Sequence, residues 1–197
     1  MNPHAPRIRG AGESPLLIEW DEAIDPEINA QATGVAAAIR ESAISGLRDV
    51  VSTYRSVAVF FDPLKVEPDG LRKVLARLSG EPRHVAQGKM VEIPVAYGGE
   101  AGPDLLAVAE WAKLRAETVI ERHAGTEYRV FMLGFLPGFA YLGSVDPAIA
   151  APRRNTPRVR VPAGAVGIAG RQTGIYPRES PGGWQLIGQT GVKVFDA

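Results

Sequence analysis

The stretch Val130–Gly143, VFMLGFLPGFAYLG, decides how the second half of this chain is read. It holds three glycines, a proline, three phenylalanines and a tyrosine, and no charge. Phe131, Leu133 and Phe135 alternate as one face of a strand should. Leu136-Pro137-Gly138 is a turn signal, with proline setting φ and glycine admitting positive φ. Phe139 and Tyr141 then stand on one side of a second extended segment. A plain buried strand needs neither Gly134 nor Gly138 nor Gly143. Glycine inside a strand marks close approach by a ligand or another piece of chain. Two readings stay open: packed core, or an aromatic wall beside a pocket.

Downstream, the same texture continues. Residues 131–197 hold 11 of the 22 glycines, and short apolar runs alternate with Pro/Gly turns. That pattern predicts a small β-barrel or sandwich. Residues 152–162, PRRNTPRVRVP, carry arginines on a segment stiffened by Pro152, Pro157 and Pro162. Arg153, Arg154 and Arg158 there suit a fork for carboxylate or phosphate, since almost no acid lies nearby in sequence. A solvated basic face is the plainer alternative. In AGAVGIAGRQTGIYP, glycines recur at 164, 167, 170 and 174, and such turns expose backbone N–H groups that can hold an anionic oxygen. Gln172, Thr173 and Tyr176 add neutral polar groups, and Trp184 follows the turn Pro181-Gly182-Gly183. His123 precedes these blocks. It suits a general base, or a cation at the C-terminus of its helix.

Upstream, strands are predicted at Arg7–Gly10 and Leu16–Trp20. A helix follows, opened by Asp25-Pro26 and closed by Gly46. Strands at Leu47–Tyr54 and Ser56–Phe61 come next, then a helix through Leu71, Val74, Leu75 and Leu78 that stops at Gly80. The order ββαββα makes a compact α+β domain over residues 1–82. Gly80–Gly88 reads as the linker to a second domain, residues 89–197. There VEIPVAYGG is strand-like, and its proline suggests an edge or a bulge. GPDLLAVAEWAKLRAETVIERHAG reads as two short helices. The second carries Glu117 and Glu121 against Arg122, so it lacks the cations of a DNA-recognition helix.

Composition narrows the chemistry. The 197 residues include no cysteine, which removes disulfides, thiolate metal sites and thiol nucleophiles. Net charge is zero but uneven: residues 1–146 carry 15 Lys+Arg and 20 Asp+Glu, and residues 147–195 carry seven and one. The balance argues against broad nucleic-acid binding, while the local excess permits a small anion. No phosphate loop, G-x-G-x-x-G, H-E-x-x-H or G-x-S-x-G motif occurs, and the three widely spaced histidines make no metal site. The N-terminus has no apolar signal core and no run reaches membrane-spanning length, so a cytoplasmic protein without membrane contact is expected.

Several blocks occur in a fixed order: GPDL, HAGTEYRV, LGFLPGFAYLG, PRRNTPRVRVPAG, VGIAGRQTGIYP and SPGGWQLIGQT. In this the chain resembles the 5-oxoprolinase B-subunit family, also called KipI-type or allophanate hydrolase subunit 1. The resemblance implies an α+β N-terminal domain followed by a cyclophilin-like β-barrel C-terminal domain. It implies two partner subunits, one of KipA type (the C subunit) and one of A type, which together with this chain open 5-oxoproline to glutamate. ATP with Mg would be bound in the complex rather than by this chain alone, and this chain would be inactive by itself. The alternative within the family is an inhibitor that binds a sensor histidine kinase. On the enzyme reading, Arg154 and Arg158 with Gly170, Gln172 and Gly174 hold the substrate or an anion. His123 or Tyr176 moves a proton, and Phe139, Tyr141 and Trp184 wall the pocket. The family usually continues with a further strand beyond VFDA. Gln189-Thr190-Gly191 stands where a basic residue and a proline are common in the family, which weakens the case for an anion role at Gln189.

Overall fold

The computed structural model describes residues 6–81 and 88–196. The chain divides into two compact units, residues 1–89 and 90–197.

In the first unit, strand β1 (Arg7–Gly10) and strand β2 (Pro15–Glu19) precede helix α1 (Pro26–Glu41). Strands β3 (Leu47–Ser52) and β4 (Ser56–Phe61) and helix α2 (Pro68–Ser79) follow. The antiparallel sheet runs β1-β2-β4-β3. Asp25 caps α1, its Oδ1 accepting from Glu27 N (2.7 Å) and Ile28 N (3.1 Å), with Pro26 pre-set for the first turn. The helix stops at Glu41, ahead of the expected Gly46, because Ser42 caps it and Ala43 turns left-handed (φ 47°). Val57, Val59 and Phe61 of β4 point into the core with Leu16, Ile18, Ile28, Val35, Ile39, Leu71 and Leu75. Phe60, between them, faces away, as period-two alternation requires. Gly80 caps α2, and most of the Gly80–Gly88 linker expected from sequence lies outside the described residues.

The second unit begins with β5 (Ala96–Tyr97), shorter than VEIPVAYGG suggests because Pro94 brings no N–H to a ladder. Helices α3 (Leu105–Ala112) and α4 (Ala116–Ala124) follow. Then come β6 (Arg129–Leu133), β7 (Ala140–Gly143), β8 (Arg158–Val161) and β9 (Ala165–Ala169). Strands β10 (Gln172–Ile175), β11 (Ser180–Gly182) and β12 (Gln185–Gln189) complete it. The main antiparallel sheet runs β5-β12-β9-β10-β7-β6, and β8 pairs with β11 in a separate ribbon. The closed barrel expected from the family resemblance is not found among the described residues. β5 and β6 are the sheet's outer strands and do not pair with each other.

Every residue of β9 is buried, and alternation explains why. Val166 and Ile168 pack with Leu105, Val108, Val119, Ile149 and Ile187, the helix side. Ala165 and Ala169 pack with Phe139, Tyr176, Trp184 and Leu186, the aromatic side. The sheet thus separates two small cores. At the hinge of β6 and β7, Phe139 N donates to Leu136 O (2.9 Å) around Pro137 and Gly138 (φ 81°), the turn that the sequence predicts.

Candidate functional site

The aromatic residues expected to wall a pocket pack against one another instead. Phe139 lies with ring centroids 4.9 Å from Tyr141, 5.3 Å from Tyr176 and 5.5 Å from Trp184, all edge-on. Phe139, Tyr176 and Trp184 are buried. Gly174 makes the room: a Cβ there would stand 2.9 Å from Ala140 O, 3.1 Å from Phe139 Cζ and 3.2 Å from Trp184 Cζ3. The glycine admits the chain's own rings rather than a ligand. What opens to solvent here is a shallow cleft of about 460 Å³ along Leu133–Gly138, beyond those rings.

The proton-handling candidates are equally enclosed. His123, on α4, is buried between Tyr97 and Thr173. Thr173 Oγ1 gives its proton to Gly167 O (2.9 Å), so it accepts from His123 Nε2–H (2.9 Å). His123 Nδ1 therefore accepts from the Tyr97 hydroxyl (2.8 Å). Burial pushes the imidazole down to about 4, so it is neutral, which also removes the reading of a cation at the helix end. Burial pushes the Tyr176 hydroxyl up, with the nearby charges of Arg153 and Arg158 pulling partly the other way. The Gly170 N–H, expected to face an anion, donates to Ala151 O (2.8 Å). Gly174 and half-buried Gln172 sit in the β10 ladder, paired with Gly167 and Ala169. His123 and Tyr176 are thus buried within the fold, and neither lines the cleft along Leu133–Gly138.

Arg154 and Arg158 do come together, around a carboxylate that the sequence does not single out. Asp104 stands at the start of α3, where GPDL reads as a helix opening, yet its side chain makes no cap bond. Its Oδ1 accepts from Arg154 Nη1 (3.0 Å) and Arg158 Nη2 (2.8 Å). Its Oδ2 accepts from Arg158 Nη1 (2.8 Å) and Leu186 N (2.7 Å). The carboxylate is 6% exposed, against 36% for Arg154 and 21% for Arg158. Scarcity of acids in the surrounding sequence is the wrong guide, because the partner lies fifty residues upstream. One carboxylate still serves two guanidiniums. A third, Arg153, lies 6.0 Å from the Trp184 ring centroid. Arg160 is separate, held by Glu179 at 3.0 Å.

The family model described as carboxyltransferase domain, subdomain C and D, matches residues 6–197. The chain belongs to this carboxyltransferase subdomain C and D family. It is 43% identical over 202 residues to a Bacillus subtilis protein named as the B subunit of 5-oxoprolinase, covering 96% of this chain and 84% of that one. An Escherichia coli O157:H7 protein of the same name is 54% identical over 110 residues, 56% of this chain and 50% of the relative. The crystal structure of TTHA0988 superposes with a TM-score of 0.82 at 39% identity, over 96% of this chain and 36% of that one. The resemblance read from the ordered motif blocks is therefore borne out for this carboxyltransferase-domain family.

Proposed function

We propose that this chain is a subunit of an ATP-dependent complex that opens 5-oxoproline to glutamate. The observation that carries the reading is identity at 43%, spread over 96% of the chain, to a protein named as the B subunit of 5-oxoprolinase. The same name on the E. coli relative favours the enzyme over the kinase-inhibitor reading. The partners in this reading are two further subunits, one KipA-type (C) and one A-type. The proposal also includes a cytoplasmic setting, a cyclophilin-like C-terminal unit and a divide between domains near residues 82–89. No described helix is long and apolar enough to cross a membrane.

Ring opening breaks a resonance-stabilised amide, so charge must be stabilised on its oxygen or on a phosphoryl group transferred to it. This chain's contribution is cationic. Arg154 and Arg158, oriented by Asp104, hold a carboxylate or phosphoryl oxygen at the edge of the site. The chain's own residues do not fit a nucleotide with its magnesium. The described residues contain no cluster of three acids or histidines, and the glycine-turn amide at Gly170 is already bonded. In this reading ATP is bound elsewhere in the complex, and the chain alone is inactive. His123 and Tyr176 receive no proton-transfer role. The test is co-expression of all three subunits, followed by assay of glutamate release from 5-oxoproline. Release that requires ATP and all three chains is expected. A purified three-chain complex that leaves 5-oxoproline intact would contradict the reading.

A further inference from the structure

We infer that the exposed side of helix α3 is the docking surface for a partner subunit of the complex, which grips the helix in an apolar groove rimmed by carboxylates. The inference rests on the proposed function for the existence of partner subunits, and adds where one of them sits.

Helix α3 reads LLAVAEWA, with Glu110 as its one charged residue. A helix that is apolar all round belongs in a covered position. Only one side of α3 is covered: Leu105, Val108 and Ala109 lie in the core of the second unit. The opposite side turns Leu106, Ala107, Glu110 and Trp111 to solvent, with Leu106 75% and Trp111 49% exposed. The other helices behave differently. α4 exposes Glu117, Glu121 and Arg122, and α2 exposes Asp69, Lys73 and Arg77. Among the described residues, no large apolar side chain is exposed on α1, α2 or α4. Tryptophan and leucine on a rigid exposed face have the make-up of an interface centre rather than of a solvated surface. The buried side already holds the helix, so docking on the other side costs little ordering.

Charge selects the partner. Lys113 and Arg115, exposed just past the end of α3, meet no carboxylate among the described residues. At the other end Asp104, the residue before Leu105, is engaged by Arg154 and Arg158. The exposed side therefore has cations at both ends and a single acid, Glu110. A groove with an apolar floor and carboxylates at both rims is complementary to it. A second copy of this chain is not. Antiparallel pairing of two α3 helices sets Lys113 and Arg115 of one copy against Arg154 and Arg158 of the other, and parallel pairing sets them against themselves. The eight residues of α3 span about 12 Å, so a groove that holds them ends beside the arginine site.

The test is assembly of the three-chain complex, read by affinity measurement and by light scattering of the purified species. Leu106→Glu and Trp111→Ala should each weaken assembly about tenfold or more, the scale of an interface hot spot. Lys113→Glu combined with Arg115→Glu should weaken it less, and mainly at low salt. All four positions are exposed, so the thermal midpoint of the chain alone should stay at the wild-type value. Fluorine NMR of this chain labelled with fluorotryptophan gives a reading that needs no variant. The signal of Trp111 should shift on assembly, and those of buried Trp20 and Trp184 should stay. Wild-type assembly by Leu106→Glu and Trp111→Ala, an unshifted Trp111 signal, or a wild-type chain that joins neither partner overturns the inference. So does a dimer of this chain alone, or binding to phosphatidylserine vesicles, that Leu106→Glu abolishes. Glutamate release by a complex that tolerates both variants removes the docking site and leaves the functional reading standing. A complex that Leu106→Glu breaks, but that leaves 5-oxoproline intact, does the reverse.

Discussion

The second unit buries two polar centres and treats them oppositely. Around His123 three protons pass along one line: Tyr97 gives one to the ring, the ring gives one to Thr173, and Thr173 gives one to the Gly167 carbonyl. The chain of hydrogen bonds is uncharged. Around Asp104 the balance is unequal, with two guanidiniums and a backbone N–H on one carboxylate. A neutral network ties α4 to the sheet and carries no charge. An unbalanced charged one ties α3 to β8 and β12 and keeps positive charge at its exposed side. Burial alone does not separate structure from function here; the balance of donors and charges does.

That contrast can be broken in order of expected effect. Asp104→Ala leaves two half-buried guanidiniums facing each other and an unpaired Leu186 N–H, and should cost about 3–5 kcal/mol in urea unfolding. A loss below about 1 kcal/mol would make the cluster a surface ion pair.

The His123 centre should show itself through pH. Its folded value, about 4, lies below the ordinary 6.5, so the unfolded chain takes up the proton first as pH falls. Stability from this group is fully present above about pH 6.5, falls by roughly 3 kcal/mol on going down to about pH 4, and is level below that. Tyr97 and Tyr128, which face the ring, stay neutral throughout, since burial pushes both hydroxyls up. His123→Gln should flatten this slope in unfolding curves taken at several pH values. A slope that survives the substitution would assign it to other groups.

Smaller effects test the margins of the contrast. Gly174→Ala must displace Phe139, Trp184 or the β7 backbone, and should cost about 1–3 kcal/mol. A neutral result in thermal unfolding would mean that the aromatic core has slack. Arg160→Ala should leave the thermal midpoint unchanged, because its partner Glu179 is exposed.

Much of the first unit is legible locally. Asp25-Pro26 caps and opens α1, and the strand expected over Ser56–Phe61 matches β4 in its bounds. The Leu136-Pro137-Gly138 turn is equally plain, because its signal lies within four residues. The candidate site is less so. Arg154 and Arg158 stand out as a pair in PRRNTPRVRVP, but the acid that organises them is fifty residues away and looks like a helix cap. Rings and glycines at 134–143 and 174 look like ligand space, and only the register of β7, β9 and β10 shows that Phe139 fills what Gly174 leaves open. Contacts set by long-range register and charge pairing leave no periodic trace in one sequence.

A double-mutant cycle on Asp104 and Arg158 tests the central claim most directly. Asp104→Ala, Arg158→Ala and the pair are compared by urea unfolding. If the carboxylate and the guanidinium form one unit, the two losses overlap by about 2 kcal/mol or more. Losses that add to within about 0.5 kcal/mol would mean the two residues act independently, and Asp104 would not orient Arg158 for the proposed anion site.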